Sequence, residues 1–232
     1  MKQLALDIRL AEHAVFDTYY PGANALVLDG LQRLVAGEGA AVMWLWGGAG
    51  SGKTHLLQAS VAAAHARALR TAYLPLGELG ALPPAVLDGF GGYDLVALDD
   101  LGAVAGQADW ERALLGLYEQ LVPAGCRLLV AGEAPPAQLG LGLPDLSSRL
   151  TAGGVFRLEQ LSDADCLQAL QRRAKWRGFS LPQDTGQYLL TRVDRNVAGL
   201  FHMLDRLDQA ALAAQKRLTI PFVRSVLDSA VD

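Results

Sequence analysis

A glycine-rich segment followed by a lysine and a threonine is the part of this sequence best suited to chemistry. Residues 47–54 have the pattern G-x-x-x-x-G-K-T, and they are Gly47, Gly48, Ala49, Gly50, Ser51, Gly52, Lys53 and Thr54. In such a P-loop the backbone N–H groups turn inward around phosphate, Lys53 reaches the β- and γ-phosphates, and Thr54 binds Mg²⁺. We predict that residues 47–54, together with His55 in the helix-forming run that follows, bind a nucleotide.

Acidic residues further along the chain could complete this site. Asp99 and Asp100 end an apolar run that begins at Tyr93, which is the form of a Walker B strand. Asp99 is predicted to hold the Mg²⁺ shell, and Asp100 is predicted to orient or deprotonate a water. Glu133 follows another apolar run. It could sense the γ-phosphate or the attacking water, or it could be an ordinary acidic residue of a loop.

The elements that must position these groups follow from the periodicity of the apolar residues. Apolar runs predict strands at residues 41–46, 70–76, 93–100, 127–132 and 155–158. Helical spacing predicts helices at residues 25–36 and 109–122. The apolar face of the first helix is predicted to contain Leu26, Leu28, Leu31, Leu34 and Val35.

From residue 162 onward the chain is predicted to be entirely helical. Ser162 and Asp165 resemble a capping box at the start of the first helix of this part. Asn196 is predicted to cap the third helix, and Pro221 to lie in the first turn of the last. The first helix carries a basic cluster, which could be a solvated face or a contact for a phosphate backbone: Arg172, Arg173, Lys175 and Arg177.

Apolar residues alternate at the beginning of the chain, among Gln3, Leu4, Leu6 and Ile8. This segment could be an edge strand or a tail. It could also be a short linear motif whose leucines fill a partner's groove while Gln3 hydrogen-bonds at the rim. The spacing alone leaves both alternatives open.

The composition restricts the class of protein. Of the 232 residues, 51% are hydrophobic and 19% are charged, as in a globular protein of one or two domains. The net charge of −4 gives no support for broad nucleic-acid binding. The two distant cysteines favour neither a disulfide framework nor a zinc site, and they fit a reducing cytoplasm. We find no membrane-spanning run and no signal-peptide core.

With these parts in this order, the chain resembles the AAA+ ATPases of the initiator clade, and among them the DnaA-related regulatory inactivators of the Hda family. The resemblance covers essentially the whole chain. It is carried by residues 3–6, 47–54, 99–100, 142–150, 161–163, 177–179 and 218–223. It implies an α/β fold, an AAA+ P-loop three-layer α/β/α sandwich with a parallel five-stranded sheet, followed by a small all-α lid domain. The implied domains are a tail at residues 1–10, a nucleotide-binding domain at 11–160 and the lid at 161–232.

The resemblance also implies an adaptor that regulates DNA replication initiation negatively. In the family, an N-terminal motif binds the DNA-loaded sliding clamp, the β subunit of DNA polymerase III. That role falls here on Gln3, Leu4, Leu6 and Ile8. The AAA+ body holds ADP (or ATP) with Mg²⁺ and docks onto ATP-bound DnaA. Arg149 is implied as the arginine finger that stimulates hydrolysis by DnaA.

Further expectations concern the wider assembly. Contact with DNA is expected mainly through the clamp, a homo-oligomer is compatible with the family, and no membrane is involved. Because no helix-turn-helix pattern follows the lid, we expect an adaptor rather than the origin-binding initiator.

Two positions depart from the family pattern. Ala198 stands where AAA+ lids commonly place a sensor arginine, and Arg195 lies nearby at a different helical position. This departure predicts that the chain has weak or no intrinsic ATPase activity and favours bound ADP. Asp7 places a charge inside the clamp motif, where it is expected to weaken binding in the groove.

Two other functions compete with the adaptor. The intact pair of Walker motifs and the basic cluster are also compatible with an autonomous AAA+ ATPase that acts as a helicase loader or a DNA-remodelling factor. A nucleotide-gated scaffold would bind the clamp and DnaA without accelerating hydrolysis.

Overall fold

The computed structural model describes residues 14–193 and 197–228, apart from the side chain of residue 198. Within these ranges the strands are β1 (Val42–Trp46), β2 (Thr71–Pro75), β3 (Leu95–Asp99), β4 (Arg127–Gly132) and β5 (Gly154–Arg157). The helices are α1 (Ala25–Val35), α2 (Lys53–His65), α3 (Leu76–Leu79), α4 (Ala108–Leu121), α5 (Pro144–Thr151), α6 (Asp163–Trp176), α7 (Gln183–Arg192), α8 (Val197–Ala214) and α9 (Ile220–Asp228). The residues of the predicted clamp motif, and also Arg195 and Asn196, lie outside the described residues.

The strands form one parallel sheet of five, in the order β2-β3-β4-β1-β5. Strands that are covered on both faces read as continuous apolar runs, and every residue of β3 is buried. The sheet confirms the predicted α/β fold with a parallel five-stranded sheet.

The strand order brings the predicted chemical groups to one edge of the sheet. The carboxyl ends of parallel strands lie at the same edge, where α/β proteins bind their ligands. Strand β4 lies between β1 and β3, and Trp46 of β1 pairs with Gly132 of β4. The loop after β1, the end of β3 at Asp99 and the residue after β4, Glu133, therefore lie at neighbouring strand ends.

Helix α1 presents a different face to the core than predicted. Its buried residues are Val27, Leu31, Leu34 and Val35, whereas Leu26 is 84% exposed. The prediction for Leu26 is therefore wrong. Starting the stripe at Val27 gives the spacing i, i+4, i+7 and i+8 of an apolar helix face, and Leu26 lies outside that stripe.

Contacts divide the described residues into two compact units. One contains residues 14–16, 24–48 and 52–159, and the other contains residues 17–23, 49–51, 160–193 and 197–228. The second unit includes α6–α9, whose core residues are Cys166, Leu170, Ala174, Leu181, Leu189, Leu200, Leu204, Leu207, Leu218 and Val223. None of the described helices is long and apolar enough to cross a membrane.

The helical unit has the predicted helix starts where they are described. Ser162 is the N-cap of α6, and its hydroxyl accepts a hydrogen bond of 3.2 Å from the backbone N–H of Asp165. The same hydroxyl donates to a carboxylate oxygen of Asp165 at 2.6 Å. Pro221 is the second residue of α9, where its missing N–H costs no helical hydrogen bond.

The basic cluster of α6 has one buried member, Arg173, whereas Arg172, Lys175 and Arg177 are exposed, as the solvated alternative predicts. Arg173 is only 2% exposed and pairs with Asp205 at 2.7 Å. Arg177 pairs with Asp205 at 2.6 Å and with Asp208 at 2.8 Å. Arg172 donates to the carbonyl of Asp17 at 2.5 Å. At least three of the four cations are thus used within the unit, and α8 supplies the acids.

Candidate functional site

The P-loop depends on glycine at two positions. Gly50 and Gly52 have φ values of +75° and +92°, a region that glycine enters without steric cost. Gly52 is also the N-cap of α2, so the helix begins at Lys53. The first N–H groups of a helix have no partner within the helix and attract anions. This loop geometry fits a phosphate group.

Two side chains of the P-loop support the same fit. Lys53 donates to the carbonyls of Gly47 at 2.7 Å and Gly48 at 3.1 Å, so its ammonium group stays against the loop. The hydroxyl of Ser51 is buried and has no hydrogen-bond partner in the described part of the chain. A buried polar group without a partner is costly, and phosphate oxygens would satisfy it. The residues present thus fit a nucleotide phosphate.

Both carboxylate oxygens of Asp99, at the end of β3, accept hydrogen bonds. Asp99 is 1% exposed. Its Oδ2 accepts a hydrogen bond of 2.7 Å from the Tyr73 hydroxyl, and its Oδ1 accepts one of 3.0 Å from the backbone N–H of Asp100. Both bonds are donated to the carboxylate, so Asp99 has a fixed orientation at the sheet edge.

Asp100 has an unusual backbone and an unusual charge environment. Its φ of +54° lies in the left-handed region, which Asp and Asn tolerate better than most residues. Burial is the largest cause that raises the pKa of the Asp100 carboxyl, followed by the charge of Asp99 and, more weakly, that of Glu133. Lys53 acts in the opposite direction. The predicted groups of three strand ends are therefore electrostatically coupled.

Glu133, directly after β4, is exposed, and its carboxylate lies over the turn that follows Asp100. A Cβ on Gly102, in the turn that follows Asp100, would lie 2.6 Å from Oε2 of Glu133, so the carboxylate covers this glycine. The indole of Trp44 donates to the carbonyl of Ala134 at 3.1 Å. The buried Trp44 thereby links β1, which leads into the P-loop, to the segment that carries Glu133.

The oxygen ligands near the P-loop suit a metal ion that is also coordinated by phosphate oxygens. Among the described residues, no group of three or more His, Cys, Asp or Glu side chains could hold a metal ion. Mg²⁺ commonly uses one or two carboxylates together with phosphate oxygens and waters. The Thr54 hydroxyl and the Asp99 carboxylate would hold Mg²⁺ in that way, and their role stays a prediction.

For two other predicted positions, His55 and Ala198, the structure does not test the predicted role. Nε2 of His55 lies 3.1 Å from the carbonyl of Val15, and its predicted role in nucleotide binding stays a prediction. Ala198 is the second residue of α8, but its side chain lies outside the description. The predicted loss of a sensor arginine is therefore a statement about the sequence alone.

Arg149 lies on the last turn of α5 and is held by α4. Its guanidinium donates to Glu119 at 2.8 Å and lies 5.5 Å from the ring centroid of Tyr118. The side chain is 42% exposed. Exposed ion pairs of this kind contribute about 0–1 kcal/mol to stability. An anion that binds the guanidinium more tightly than Glu119 can therefore replace it.

Sequence reasoning missed Glu111, which holds the start of α5. It is 1% exposed although it is charged. Its Oε1 accepts the backbone N–H groups of Gly106 at 2.7 Å and Gly142 at 3.0 Å, and its Oε2 accepts that of Leu143 at 2.7 Å. A glutamate in an amphipathic helix normally indicates the solvent face, so the sequence carries no signal for this contact. Helix α5, with Arg149, is thus attached to α4 at both ends.

Glu111→Gln is expected to destabilise the fold. The amide has only one acceptor oxygen, so at least one of the three backbone donors faces an NH₂ group. An unsatisfied buried donor costs about 1–3 kcal/mol, and about 1 kcal/mol lowers the melting temperature of a domain of this size by about 2–4 °C. Thermal unfolding followed by circular dichroism measures this change. Glu119→Gln, in a half-exposed ion pair, is the matched control, and equal melting temperatures of the two variants would contradict the assigned role.

Asp100→Asn is expected to stabilise the protein near neutral pH. Since the pKa of Asp100 is raised on folding, its charged form opposes folding. This opposition is absent below the unfolded pKa and grows as the pH rises through the carboxyl titration range. The melting temperature of the variant should exceed that of the wild type at about pH 7, and the difference should shrink toward about pH 4.

The matched variant Asp100→Ala tests the backbone separately. Alanine also removes the charge but tolerates φ of +54° poorly, so its melting temperature should lie below that of Asp100→Asn. Identical melting temperatures for the two variants would show that the backbone conformation of residue 100 does not affect stability. If the difference in melting temperature between Asp100→Asn and the wild type did not depend on pH, the charge of Asp100 would not be its cause.

Comparisons with known proteins found a family match for most of the helical unit and solved structures similar to nearly the whole chain. Residues 163–227 match the family described as "Hda, lid domain". Domain III of the replication initiation protein DnaA from Thermotoga maritima is similar in fold, with a TM-score of 0.82 and 19% identity over 96% of this chain and 98% of that chain.

Two other solved structures show the same fold with lower TM-scores. AMPPCP-bound DnaA from Aquifex aeolicus has a TM-score of 0.73 and 21% identity, over 87% of this chain and 67% of that chain. The Thermotoga maritima RuvB Holliday junction branch migration motor has a TM-score of 0.61 and 15% identity, over 92% of this chain and 73% of that chain. This chain therefore has the fold of the solved DnaA structures, and its residues 163–227 match the Hda lid domain.

Proposed function

We propose that this protein is a nucleotide-bound adaptor that stimulates ATP hydrolysis by DnaA and thereby regulates replication initiation negatively. The observation that carries the proposal is Arg149, a half-exposed arginine on a helix whose start is held by the buried Glu111 of α4. The match of residues 163–227 to the Hda lid supports the choice of partner.

The chemistry of Arg149 follows from charge. Negative charge develops on phosphoryl oxygens during hydrolysis, and a positioned guanidinium stabilises it. Within its own chain Arg149 contacts Glu119 and the ring of Tyr118, and both contacts are weak enough to be replaced. A phosphate of the partner's nucleotide would take the place of Glu119. An arginine donated in trans accelerates hydrolysis by about 10³–10⁵-fold.

The chain's own site serves to hold ADP or ATP. Lys53 and the N–H groups at the start of α2 bind the phosphates, and Ser51 adds a buried hydroxyl. Mg²⁺ bound with the phosphates would supply positive charge next to Thr54 and Asp99. Asp100 and Glu133, at neighbouring strand ends, would orient an attacking water. With Ala198 at the expected sensor position, we propose that turnover by this site is weak or absent.

The N-terminal residues are proposed to tether the adaptor to the DNA-loaded sliding clamp. Gln3, Leu4, Leu6 and Ile8 would supply the motif, and contact with DNA would be mainly indirect. Retention on a column of immobilised clamp measures this tether. A variant that lacks residues 1–8 should not be retained, and a variant with Asp7→Ala should be retained at least as well as the wild type. Equal retention of the truncated and full-length chains would sink the motif assignment.

The test of the proposed function is the conversion of ATP-bound DnaA to ADP-bound DnaA. The protein, DnaA, the clamp and DNA are mixed, and ADP formation is followed over time. We expect acceleration in the complete mixture and a much smaller effect when the clamp is omitted. Binding of DnaA without any acceleration would instead favour a scaffold.

A second function, an autonomous ATPase, is supported by the charge coupling between Lys53, Asp100 and Glu133. Such an enzyme would hydrolyse ATP alone, with stimulation by single-stranded DNA. The Asp100→Asn variant discriminates between the two functions. Loss of a DNA-stimulated turnover in this variant would favour the autonomous enzyme, whereas the adaptor has little such turnover to lose.

A further inference from the structure

Tyr73 connects two elements of the candidate site that the motifs leave separate. It lies in the middle of β2 and pairs with Ala97 of β3, two residues before Asp99. Residues two apart in a strand share a face of the sheet, so Asp99 is on the face of Ala97, next to Tyr73. The Tyr73 hydroxyl donates to Oδ2 of Asp99 at 2.7 Å.

The same phenol is linked to the helix that follows the P-loop. The side chain of Gln58, in α2, hydrogen-bonds to Tyr73. An ordinary phenol is protonated near neutral pH, so the Tyr73 hydroxyl is the donor to the Asp99 carboxylate. The result is a chain of side chains from α2 through Tyr73 to the carboxylate at the end of β3.

We propose that Tyr73 is a positioning residue that holds Asp99 for Mg²⁺ in the nucleotide complex. The proposal rests on the proposed nucleotide site and adds a residue outside both Walker motifs. Tyr73 takes one lone pair of Oδ2, and the backbone N–H of Asp100 takes one of Oδ1. Each oxygen keeps a second lone pair for a water of the Mg²⁺ shell.

The expected effect follows from the role of hydrogen bonds to metal-binding carboxylates. Such bonds fix the orientation of the carboxylate, and their loss typically weakens metal affinity about 10–100-fold. Tyr73→Phe removes only the hydroxyl and keeps the ring that fills the space beside β3. The variant should therefore lose Mg²⁺ affinity while its P-loop still binds phosphate.

The experiment separates nucleotide binding from metal binding. A fluorescent ADP analogue is titrated into the protein in EDTA, and the complex is then titrated with Mg²⁺, with Mn²⁺ paramagnetic resonance as a direct readout. Tyr73→Phe should bind the analogue in EDTA as the wild type does. The Mg²⁺ and Mn²⁺ concentrations at half-saturation should rise about tenfold or more. Tyr93→Phe, a tyrosine that packs on Phe90 and Arg70, is the matched control and should leave both midpoints unchanged.

The outcomes separate this inference from the proposed function. A wild-type protein that binds no nucleotide overturns both. A wild type that binds nucleotide, with metal midpoints unchanged by Tyr73→Phe, overturns the inference alone, even if the variant melts earlier. A tighter metal midpoint in Tyr73→Phe also overturns it, because Tyr73 would then withhold Asp99 from the metal.

Discussion

Replacing Arg149 with alanine is expected to remove the stimulation of ATP hydrolysis by DnaA. A donated arginine accelerates phosphoryl transfer by about 10³–10⁵-fold, so hydrolysis should fall to the rate of DnaA alone. Binding of DnaA should change little, because the contact of Arg149 with phosphate is realised mainly in the transition state. Arg149→Lys should also fail, since an ammonium group lacks the planar fork of donors. The assay follows ADP formation from ATP-bound DnaA in the presence of clamp and DNA.

Matched variants show whether this effect belongs to Arg149. Arg112, which pairs with Asp109 on α4, is also an exposed arginine in an ion pair. Arg112→Ala should stimulate as the wild type does. Glu119→Gln frees the guanidinium of Arg149 from its carboxylate partner, so it should retain stimulation. If Arg149→Ala stimulates DnaA as well as Arg112→Ala does, Arg149 is not the finger.

The largest loss of stability is expected from Asp205→Ala in the helical unit. Arg173, 2% exposed, pairs with Asp205 through two hydrogen bonds, of 3.3 Å and 2.7 Å, and stacks at 4.7 Å from the ring centroid of Phe201. Removing the carboxylate leaves a buried cation without its partner. Breaking a buried pair costs about 3–5 kcal/mol, and the lower end applies because Asp205 is itself partly exposed. Urea unfolding followed by circular dichroism measures the free energy of unfolding.

Asp208→Ala is the control for this prediction. Asp208 pairs with Arg177 at 2.8 Å, and both side chains are partly exposed, so its loss should cost clearly less than the loss of Asp205. Replacing Arg173 and Asp205 together with Met and Leu should recover much of the stability, because no buried charge remains. Equal losses for Asp205→Ala and Asp208→Ala would show that burial of Arg173 does not set the cost.

Short sequence patterns were sufficient to predict which segments lie at the carboxyl ends of the strands. The P-loop glycines and the apolar runs that end at Asp99 and Glu133 carry their positions in short sequence segments. The parallel order of the strands then brings these segments to neighbouring positions. The capping of α6 by Ser162 was predictable for the same reason, because Asp165 lies only one helical turn away.

Tertiary contacts account for what the sequence did not reveal. Glu111 and Arg173 occur in polar stretches of amphipathic helices, where charge usually indicates solvent, yet both are buried against partners about 30 residues away, Gly142 and Asp205. Such burial depends on which surfaces meet in the fold. For α1, by contrast, the spacing i, i+4, i+7 and i+8 from Val27 is present in the sequence, and the prediction for Leu26 departed from it.

The most direct test asks whose nucleotide is hydrolysed. DnaA is loaded with ATP that carries a radioactive γ-phosphate, and this protein is loaded with unlabelled ADP before the two are mixed on clamp and DNA. A single turnover then reports hydrolysis at the DnaA site alone. The adaptor account predicts rapid release of labelled phosphate with the wild-type protein and release at the unstimulated rate with Arg149→Ala. Equal release with both proteins, or stimulated hydrolysis only when the labelled ATP is loaded on this protein itself, would contradict it.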